Sequence, residues 1–384
     1  MQLHSAHFSP AAVAAEPGGT LARSSNRVVI VSPHRQLSLG VIGIGSDWES
    51  SYRPALERLG SRVRIDAAGG PVAKTAIALA EDLGAVHMPG VRGLLKIEMD
   101  GVLAIAPESY GWFPVEAAVT EGRNIYVCLP ERWDARQLSR LLRSAQANGL
   151  LIMPELRLRY TPATLRLREL LATDLGPIEQ IQIHTLSRDA PSTQRLLREL
   201  LDWCRTVVGG GPATIQATQE DHGSLTTQTV SAVFPAMPGR HGEFIATIVV
   251  PAASHEMIQT YKPREAERII DERGRHTIPS GDATALQPST AADVWPVEFS
   301  LTCKYGEVRL ENAVHLRWRT GGQERVESLS TERTAISVAL DHFARRLAGG
   351  LVPVPTLADL IAAEHEVNLA AQSLAQGGRA LPTH

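Results

Sequence analysis

The sequence is poor in cysteine, in lysine and in long apolar runs. Its three cysteines are odd in number and widely spread along 384 residues, which indicates reduced thiols and argues against a disulfide framework or a cysteine metal site. No apolar run approaches the roughly 20 residues of a membrane span, and the first residues lack the apolar centre of a secretory signal. We therefore expect a cytoplasmic protein.

The charge of the chain argues against nucleic acid and membrane as partners. The net charge of −3 and the absence of any block of like charges provide no basic field for nucleic acid or for an anionic membrane surface. Only four of the 38 basic residues are lysines, at positions 74, 96, 262 and 304. The sequence thus predicts no nucleic acid and no membrane as partner.

The first part of the chain alternates short apolar strands with helices. Apolar runs occur at residues 39–45, 101–107, 124–128 and 150–153, with helical spacing between them. Asp134 is placed as a helix N-cap, and Gly60, Gly84 and Gly149 are placed as helix ends. Strands and helices at this spacing predict a doubly wound parallel sheet over residues 38–155.

The pattern of apolar and polar residues changes at Ile178. Apolar and polar residues alternate in segments 178–183, 244–250, 306–310 and 314–319, as in an antiparallel sheet covered on one face. Helical patterns occupy 195–208, 331–347 and 356–375, the last with a capping box of Thr356 and Asp359, and 274–293 reads as a surface loop. The predicted organisation is a flexible extension over 1–37, a doubly wound α/β domain over 38–155, an α+β domain over 156–350, and a C-terminal helix and tail over 351–384 that pack back on the body.

Several short motifs occur in an order typical of one superfamily. They are Gly43-Ile44-Gly45, Ala106-Pro107-Glu108, the segment 121–130 ending in Cys128-Leu129-Pro130, Arg159-Tyr160-x-Pro162, and Leu175-Gly176-Pro177-Ile178. In this respect the chain resembles the glucose-fructose oxidoreductase/inositol dehydrogenase/rhizopine catabolism superfamily over roughly residues 39–375.

The resemblance implies a Rossmann-type doubly wound parallel sheet, followed by an α+β domain with a large open, mainly antiparallel sheet. It also implies NAD or NADP as cofactor, hydride transfer to or from a sugar-like or hydroxylated substrate, and a homo-oligomer formed through the open sheet. The cofactor contacts it suggests are Gly43, Gly45, Ser46, Asp66, Ala106, Pro107 and Pro130.

The cofactor motif departs from the family pattern at two places. Asp47 and Trp48 follow the glycine turn, so the third glycine is replaced by an indole and a carboxylate is placed where it would repel a pyrophosphate. Asp66 is the candidate ribose acid, but the helix register places the family position closer to Gly69 or Gly70. In that register NADP, or no cofactor, is favoured over NAD.

The proton relay departs further. The family's catalytic lysine corresponds to Leu129, and no lysine occurs between Lys96 and Lys262. The family's His-x-x-Asp pair corresponds to Glu199 and Asp202, which share one helix face at i and i+3.

Glu199 is therefore a candidate general base, although it could equally lie on a solvated face with Arg195 and Arg198 as partners. His184 is a third candidate, with a surface or packing role as its alternative. Arg159 and Tyr160 are interpreted as structural, and Cys128 as a buried thiol.

Two functions fit these observations. The first is an NAD(P)-dependent oxidoreductase with a relocated relay of Glu199, Asp202 and His184. The second is a catalytically degenerate paralogue that serves as a binding, scaffold or regulatory subunit, because fold alone does not establish activity.

Overall fold

A computed structural model of the chain describes residues 36–45, 47–105, 107–130, 134–185, 190–222, 225–236, 242–252, 297–311 and 313–383. The predicted N-terminal extension, apart from its last two residues, and the predicted loop at 274–293 lie outside these ranges. Ser46 and Ala106 also lie outside them.

The first sheet has six strands in the order β3-β2-β1-β4-β5-β6, and every neighbouring pair is parallel. Its strands are β1 (Leu37–Ile42), β2 (Val63–Gly69), β3 (Val86–His87), β4 (Gly101–Ala104), β5 (Ile125–Val127) and β6 (Ile152–Pro154). The predicted doubly wound parallel sheet is confirmed.

Helices connect these strands, and the three that precede Gly60, Gly84 and Gly149 end within two residues of these glycines, as the sequence indicated. They are α1 (Arg53–Arg58), α2 (Ala73–Leu83), α3 (Val91–Leu95), α4 (Pro107–Tyr110), α5 (Phe113–Thr120) and α6 (Ala135–Ala147), with one π-helical turn (Trp48–Tyr52) ahead of α1. Gly84 ends α2 in the left-handed conformation, with φ of 63°, and the Asp134 side chain accepts a hydrogen bond from the Arg136 amide at the start of α6.

A helix from the far end of the sequence completes the core of the first sheet. Helix α9 (Ala335–Leu347) buries Ile336, Leu340 and Phe343 against the face that also carries α1. The Phe343 ring lies 5.8 Å from the Tyr126 ring of β5. Helices α3, α5 and α6 cover the opposite face together with the start of α10 (Leu357–Ala375).

The second sheet has nine strands in the order β14-β13-β12-β11-β7-β10-β9-β8-β15. Only β7 and β10 pair in parallel, so the predicted open and mainly antiparallel sheet is confirmed. The strands are β7 (Ile178–His184), β8 (Thr214–His222), β9 (Leu225–Phe234), β10 (Phe244–Ala252), β11 (Glu298–Cys303), β12 (Gly306–Leu310), β13 (His315–Thr320), β14 (Gln323–Ser328) and β15 (Leu381–Pro382).

Helices α8 (Ala190–Val208) and α10 pack together on one face of this sheet. Trp203 of α8 contacts Phe299 of β11 with ring centroids 4.3 Å apart. The predicted capping box at Thr356 and Asp359 is present at the start of α10. Two connecting elements remain, a 3-10 turn (Arg157–Tyr160) and helix α7 (Pro162–Leu170), which a π-helical turn (Leu171–Leu175) extends. Among the described helices, none is long and apolar enough to cross a membrane.

Candidate functional site at the carboxyl edge of the first sheet

The glycine turn after β1 is tightly built. Gly43 has a φ of 74°, and its amide donates to the Gly69 carbonyl of β2 at 2.7 Å. A Cβ on Gly45 would lie 3.0 Å from the Ile105 carbonyl oxygen at the exit of β4. Both positions therefore need glycine, as expected of a turn that lets backbone approach a phosphate closely.

The two unusual residues after the turn are accommodated by the core. The Asp47 carboxylate is buried and lies 2.8 Å from Nη1 of Arg157, and the Trp48 indole packs beneath the turn among the apolar residues of α1 and α9. Arg157 also pairs with Glu155, so one guanidinium faces two carboxylates and the charge of Asp47 is offset only in part. The expectation that Asp47 would repel a pyrophosphate stays a prediction.

Asp66 lies away from the strand end. It occupies a bulge in β2, three residues before Gly69, and its carboxylate accepts hydrogen bonds from Arg64 and from the Ser38 hydroxyl. Gly69 ends the strand, so no carboxylate stands at this end of β2, and the assignment of Gly69 to the ribose position stays a prediction. A Cβ on Gly69 would lie 2.8 Å from the Met88 carbonyl oxygen, which explains why a side chain is excluded there.

A buried carboxylate stands at the exit of β6. Glu155 Oε2 accepts hydrogen bonds from the hydroxyls of Tyr126, at 2.6 Å, and Tyr52, and Oε1 accepts one from Arg157. Burial acts to raise the pKa of Glu155, but Arg157 and the two tyrosines outweigh it and leave that pKa below its ordinary value. The Cys128 thiol lies against the same carboxylate, and burial raises its pKa, so it is an unreactive buried thiol.

Glu199 faces this exit from the second part of the chain. Helix α8 packs on the 3-10 turn that carries Arg157, and the Glu199 side chain keeps 23% of its exposure there, 3.9 Å from Arg195. Burial raises its pKa, which Arg195 and Arg157 act to lower and Glu155 acts to raise. Glu199 is therefore a recessed carboxylate that is still open to solvent.

Asp202 is sealed one helical turn further along α8. Its two oxygens accept a fork from Arg159, with Nε to Oδ2 at 2.7 Å, and Arg159 also reaches Asp359 of α10 at 2.9 Å. The Asp202 side chain is 1% exposed. This places Asp202 in a structural junction, which agrees with the structural interpretation of Arg159 and leaves no free oxygen for a relay.

His184 is not brought to the same place. It is exposed at the end of β7, and its neighbours Ile181 and Ile183 alternate with it and point into the core beneath α8. His184 therefore points to the open face of the second sheet. The structure groups Glu199 with Asp202 on α8 and leaves His184 apart from them.

The remaining predicted positions frame the edge. Leu129 is partly buried and packs against the core between α5 and α6, and Pro130 is buried beside it. Pro107 begins α4, and the Trp112 side chain is buried in the same core. Among the described residues, no group of acidic, histidine and cysteine side chains could hold a metal ion.

Sequence reasoning missed Glu155, Arg157 and the two tyrosines. Two charged residues, spaced by one leucine, directly follow a fully buried strand, and parallel strands end at one edge. That position was the available signal. The tyrosines gave none, because a hydroxyl on a buried strand or helix cannot be told from core packing by pattern.

Comparisons with known proteins support the fold. No family model matches the sequence, and no curated protein is similar to it. Solved structures are similar: a dehydrogenase from Chromobacterium violaceum matches with a TM-score of 0.69 at 14% identity, over 89% of this chain and 96% of that one.

Two further structures widen the picture. An oxidoreductase from Agrobacterium radiobacter, solved with NAD+, L-tartaric acid and magnesium, has a TM-score of 0.65 at 15% identity, over 91% of this chain and 99% of that one. The transcriptional regulator Gal80p from Kluyveromyces lactis has a TM-score of 0.65 at 13% identity, over 91% and 92%. The chain thus has the two-domain fold of the glucose-fructose oxidoreductase/inositol dehydrogenase group, as the sequence motifs predicted.

Proposed function

We propose that the chain is a nicotinamide-dependent oxidoreductase for a hydroxylated small molecule, with Glu199 as the proton acceptor. The observation that carries this proposal is the state of Glu199, a recessed carboxylate open to solvent whose pKa burial raises. A carboxylate with a raised pKa is a better base near neutral pH than an ordinary one. Leu129 cannot exchange a proton, so Glu199 takes the role that the family gives to lysine.

The chain's residues have separate tasks in this reaction. Glu199 removes the proton of the substrate hydroxyl, while Glu155, fixed by Tyr126 and Arg157, keeps its own charge and holds the edge of the recess. A bound nicotinamide would accept the hydride from the substrate carbon that carries this hydroxyl. The electron pair leaves with the hydride, and the proton stays on Glu199.

The cofactor contacts favour NADP over NAD. The glycine turn suits a diphosphate, since Gly43 has a positive φ, Gly45 has no Cβ to obstruct it, and Arg157 offsets part of the charge of Asp47. The end of β2 offers Gly69 and no carboxylate for a ribose 2′-hydroxyl. Lys74 is exposed in the first turn of α2, five residues after Gly69, whereas Arg64, five residues before Gly69, is paired with Asp66. Lys74 is therefore the candidate cation for a 2′-phosphate.

Titration of NADPH and NADH by nicotinamide fluorescence tests the cofactor. We expect NADPH to bind more tightly, and Lys74→Gln to weaken NADPH about tenfold while NADH binding is unchanged. Absence of binding by either dinucleotide at about 1 mM would rule out the oxidoreductase.

Replacement of Glu199 tests the relay once a substrate is found among polyols and sugars. Glu199→Gln is expected to lower turnover at least about 100-fold and to remove the rise of turnover with pH, because only the deprotonated carboxylate is a base. Glu57→Gln, on the exposed surface of α1, is the matched control. A Glu199→Gln enzyme with unchanged turnover would exclude Glu199 from the chemistry.

The second candidate is a binding or regulatory subunit, favoured by Leu129. The position of the family lysine is filled by a leucine that packs into the core. A transcriptional regulator is among the structures with this fold. This candidate would be supported if the protein binds a ligand, turns over no substrate and binds neither dinucleotide.

A further inference from the structure

Three arginines converge on one buried carboxylate near the amino edge of the first sheet. Arg62 Nη1 lies 2.6 Å from Asp341 Oδ1, while Arg345 Nε, at 3.1 Å, and Arg333 Nη1, at 3.3 Å, both approach Oδ2. The Asp341 side chain is 1% exposed, whereas those of Arg62, Arg345 and Arg333 keep 45%, 51% and 52% of their exposure. The carboxylate is therefore inside, and the guanidinium groups face outward.

Separate segments of the chain bring these side chains together. Arg62 directly precedes β2, Arg333 lies in the turn before α9, and Arg345 and Asp341 are one turn apart on α9. Helix α1 packs on α9 beside them. Since β2 starts at this edge, the cluster is at the opposite end of the sheet from the glycine turn and Glu199.

The cluster carries an excess of positive charge. One carboxylate faces three guanidinium groups, and in the described ranges no other acidic side chain lies within ion-pair distance of Arg62, Arg333 or Arg345. Burial acts to raise the pKa of Asp341, but the arginines hold it below its ordinary value. Asp341 thus stays ionised, and within the part of the chain that the structure describes two of the three positive charges have no acidic partner.

Compensation of a buried carboxylate does not require three arginines. Asp202, which is equally buried, is satisfied at both oxygens by the fork of Arg159, with Asp359 beyond it. At Asp341 the same task engages one edge of each guanidinium. A guanidinium has five N–H donors in a planar fork, so donors remain on the outer side of each one.

We propose that Arg62, Arg333 and Arg345 form a binding site for a phosphate-type oxyanion, with Asp341 as the anchor that orients the three guanidinium groups. Charge-assisted bonds from several planar forks suit the tetrahedral oxygens of phosphate. A bound anion would also relieve the repulsion among the three cations.

Calorimetric titration with inorganic phosphate, at constant ionic strength kept with sodium chloride, tests the site. We expect one phosphate per chain, and about tenfold weaker binding in Arg333→Gln, which loses one fork and leaves Arg62 and Arg345 on Asp341. Arg319→Gln is the matched control, because Arg319 is 56% exposed on β13 and pairs with Glu307 at 3.4 Å. Its phosphate binding is expected to equal that of the wild type.

A second variant covers the case in which Arg333→Gln fails to fold. Arg345→Lys keeps the charge and removes the planar fork. It should weaken phosphate binding less than Arg345→Gln, which removes the charge as well. Absence of binding at about 10 mM phosphate in the wild type, or equal losses in the variant and in Arg319→Gln, would overturn the proposal. Tighter binding of glutarate than of phosphate would overturn the phosphate assignment. Glu199→Gln should bind phosphate normally, so this site stands or falls independently of the oxidoreductase.

Discussion

Two carboxylates on the same face of α8 meet two arginines of the same 3-10 turn with opposite outcomes. Asp202 is closed by a fork from Arg159 and is 1% exposed. Glu199 makes no ion pair with Arg157, although the charge of Arg157 acts on its pKa; it lies 3.9 Å from Arg195 and keeps 23% exposure. The difference arises from the partners of the arginines. Arg157 is already held by Glu155 and Asp47, while Arg159 is free to pair with α8 and α10.

A carboxylate thus becomes available when its expected partner is engaged elsewhere. The three-residue spacing of Glu199 and Asp202 brings both side chains of α8 to this turn, and the buried residues at the exit of β6 decide which one remains open. A motif read from α8 alone cannot distinguish the two.

The largest expected effect is at the closed pair. Asp202→Asn should lower the free energy of unfolding by about 3 kcal/mol, because it leaves Arg159 without its buried partner while Asp359 still compensates part of the charge. Urea unfolding monitored by tryptophan fluorescence measures it. A loss below about 1 kcal/mol would mean that the junction does not depend on this pair.

An intermediate effect is expected at a third ion pair of α8, between Arg205 and Glu366, in which only one carboxylate oxygen has a partner among the described residues. Glu366 of α10 accepts from Arg205 at 2.5 Å through Oε1, and its buried Oε2 has no partner among the described residues. Burial raises the pKa of Glu366 to about 7, with Arg205 opposing.

The folded state therefore keeps the Glu366 proton while the unfolded chain loses it near about pH 4.3, so this group destabilises the fold as pH rises from there to about 7. The unfolding free energy of Glu366→Gln minus that of the wild type should therefore increase by about 1 to 3 kcal/mol when the pH is raised from about 4 to about 8. Urea unfolding at both pH values checks it, with Asp82→Asn on the exposed surface as control. A pH-independent difference would contradict the raised pKa.

The smallest stability effect is expected at the open carboxylate. Glu199→Gln should change the unfolding free energy by less than about 0.5 kcal/mol near neutral pH, and any change should favour the variant, since burial disfavours the charged form of Glu199. The same urea unfolding as for Asp202→Asn gives the direct contrast. A large loss would make Glu199 a structural residue like Asp202.

Much of the fold could be predicted because a strand buried on both faces reads as an apolar run, and a strand buried on one face reads as alternating apolar and polar residues. The apolar runs of β1, β4 and β5 and the alternation in β7 and β12 are direct signals. Strands β3, β8, β9, β11, β14 and β15 were not predicted. In β9 the buried Val230, Ala232 and Phe234 alternate with Ser231 and Val233, and an unbroken polar run, residues 226–229, precedes them, so the period of two reads weakly.

The site was predicted only where position follows from a motif. Gly43, Gly45, Glu199 and Asp202 come from spacing, and the structure places them at the expected elements. Which carboxylate is sealed depends on Arg157, Arg159 and Glu155, whose pairing is decided by contacts between segments distant in sequence. Spacing within one helix contains no information about those contacts.

The position of α9 has a consequence for how the molecule is made. The face of the first sheet that carries α1 is closed by Ile336, Leu340 and Phe343, which are synthesised about 180 residues after β6. A ribosome that has released only the six parallel strands has released a sheet with an uncovered apolar face. The half of the chain that forms the first sheet is therefore expected to reach its native packing only when nearly the whole chain has emerged, and its isolated segment, residues 36–160, to aggregate when expressed alone.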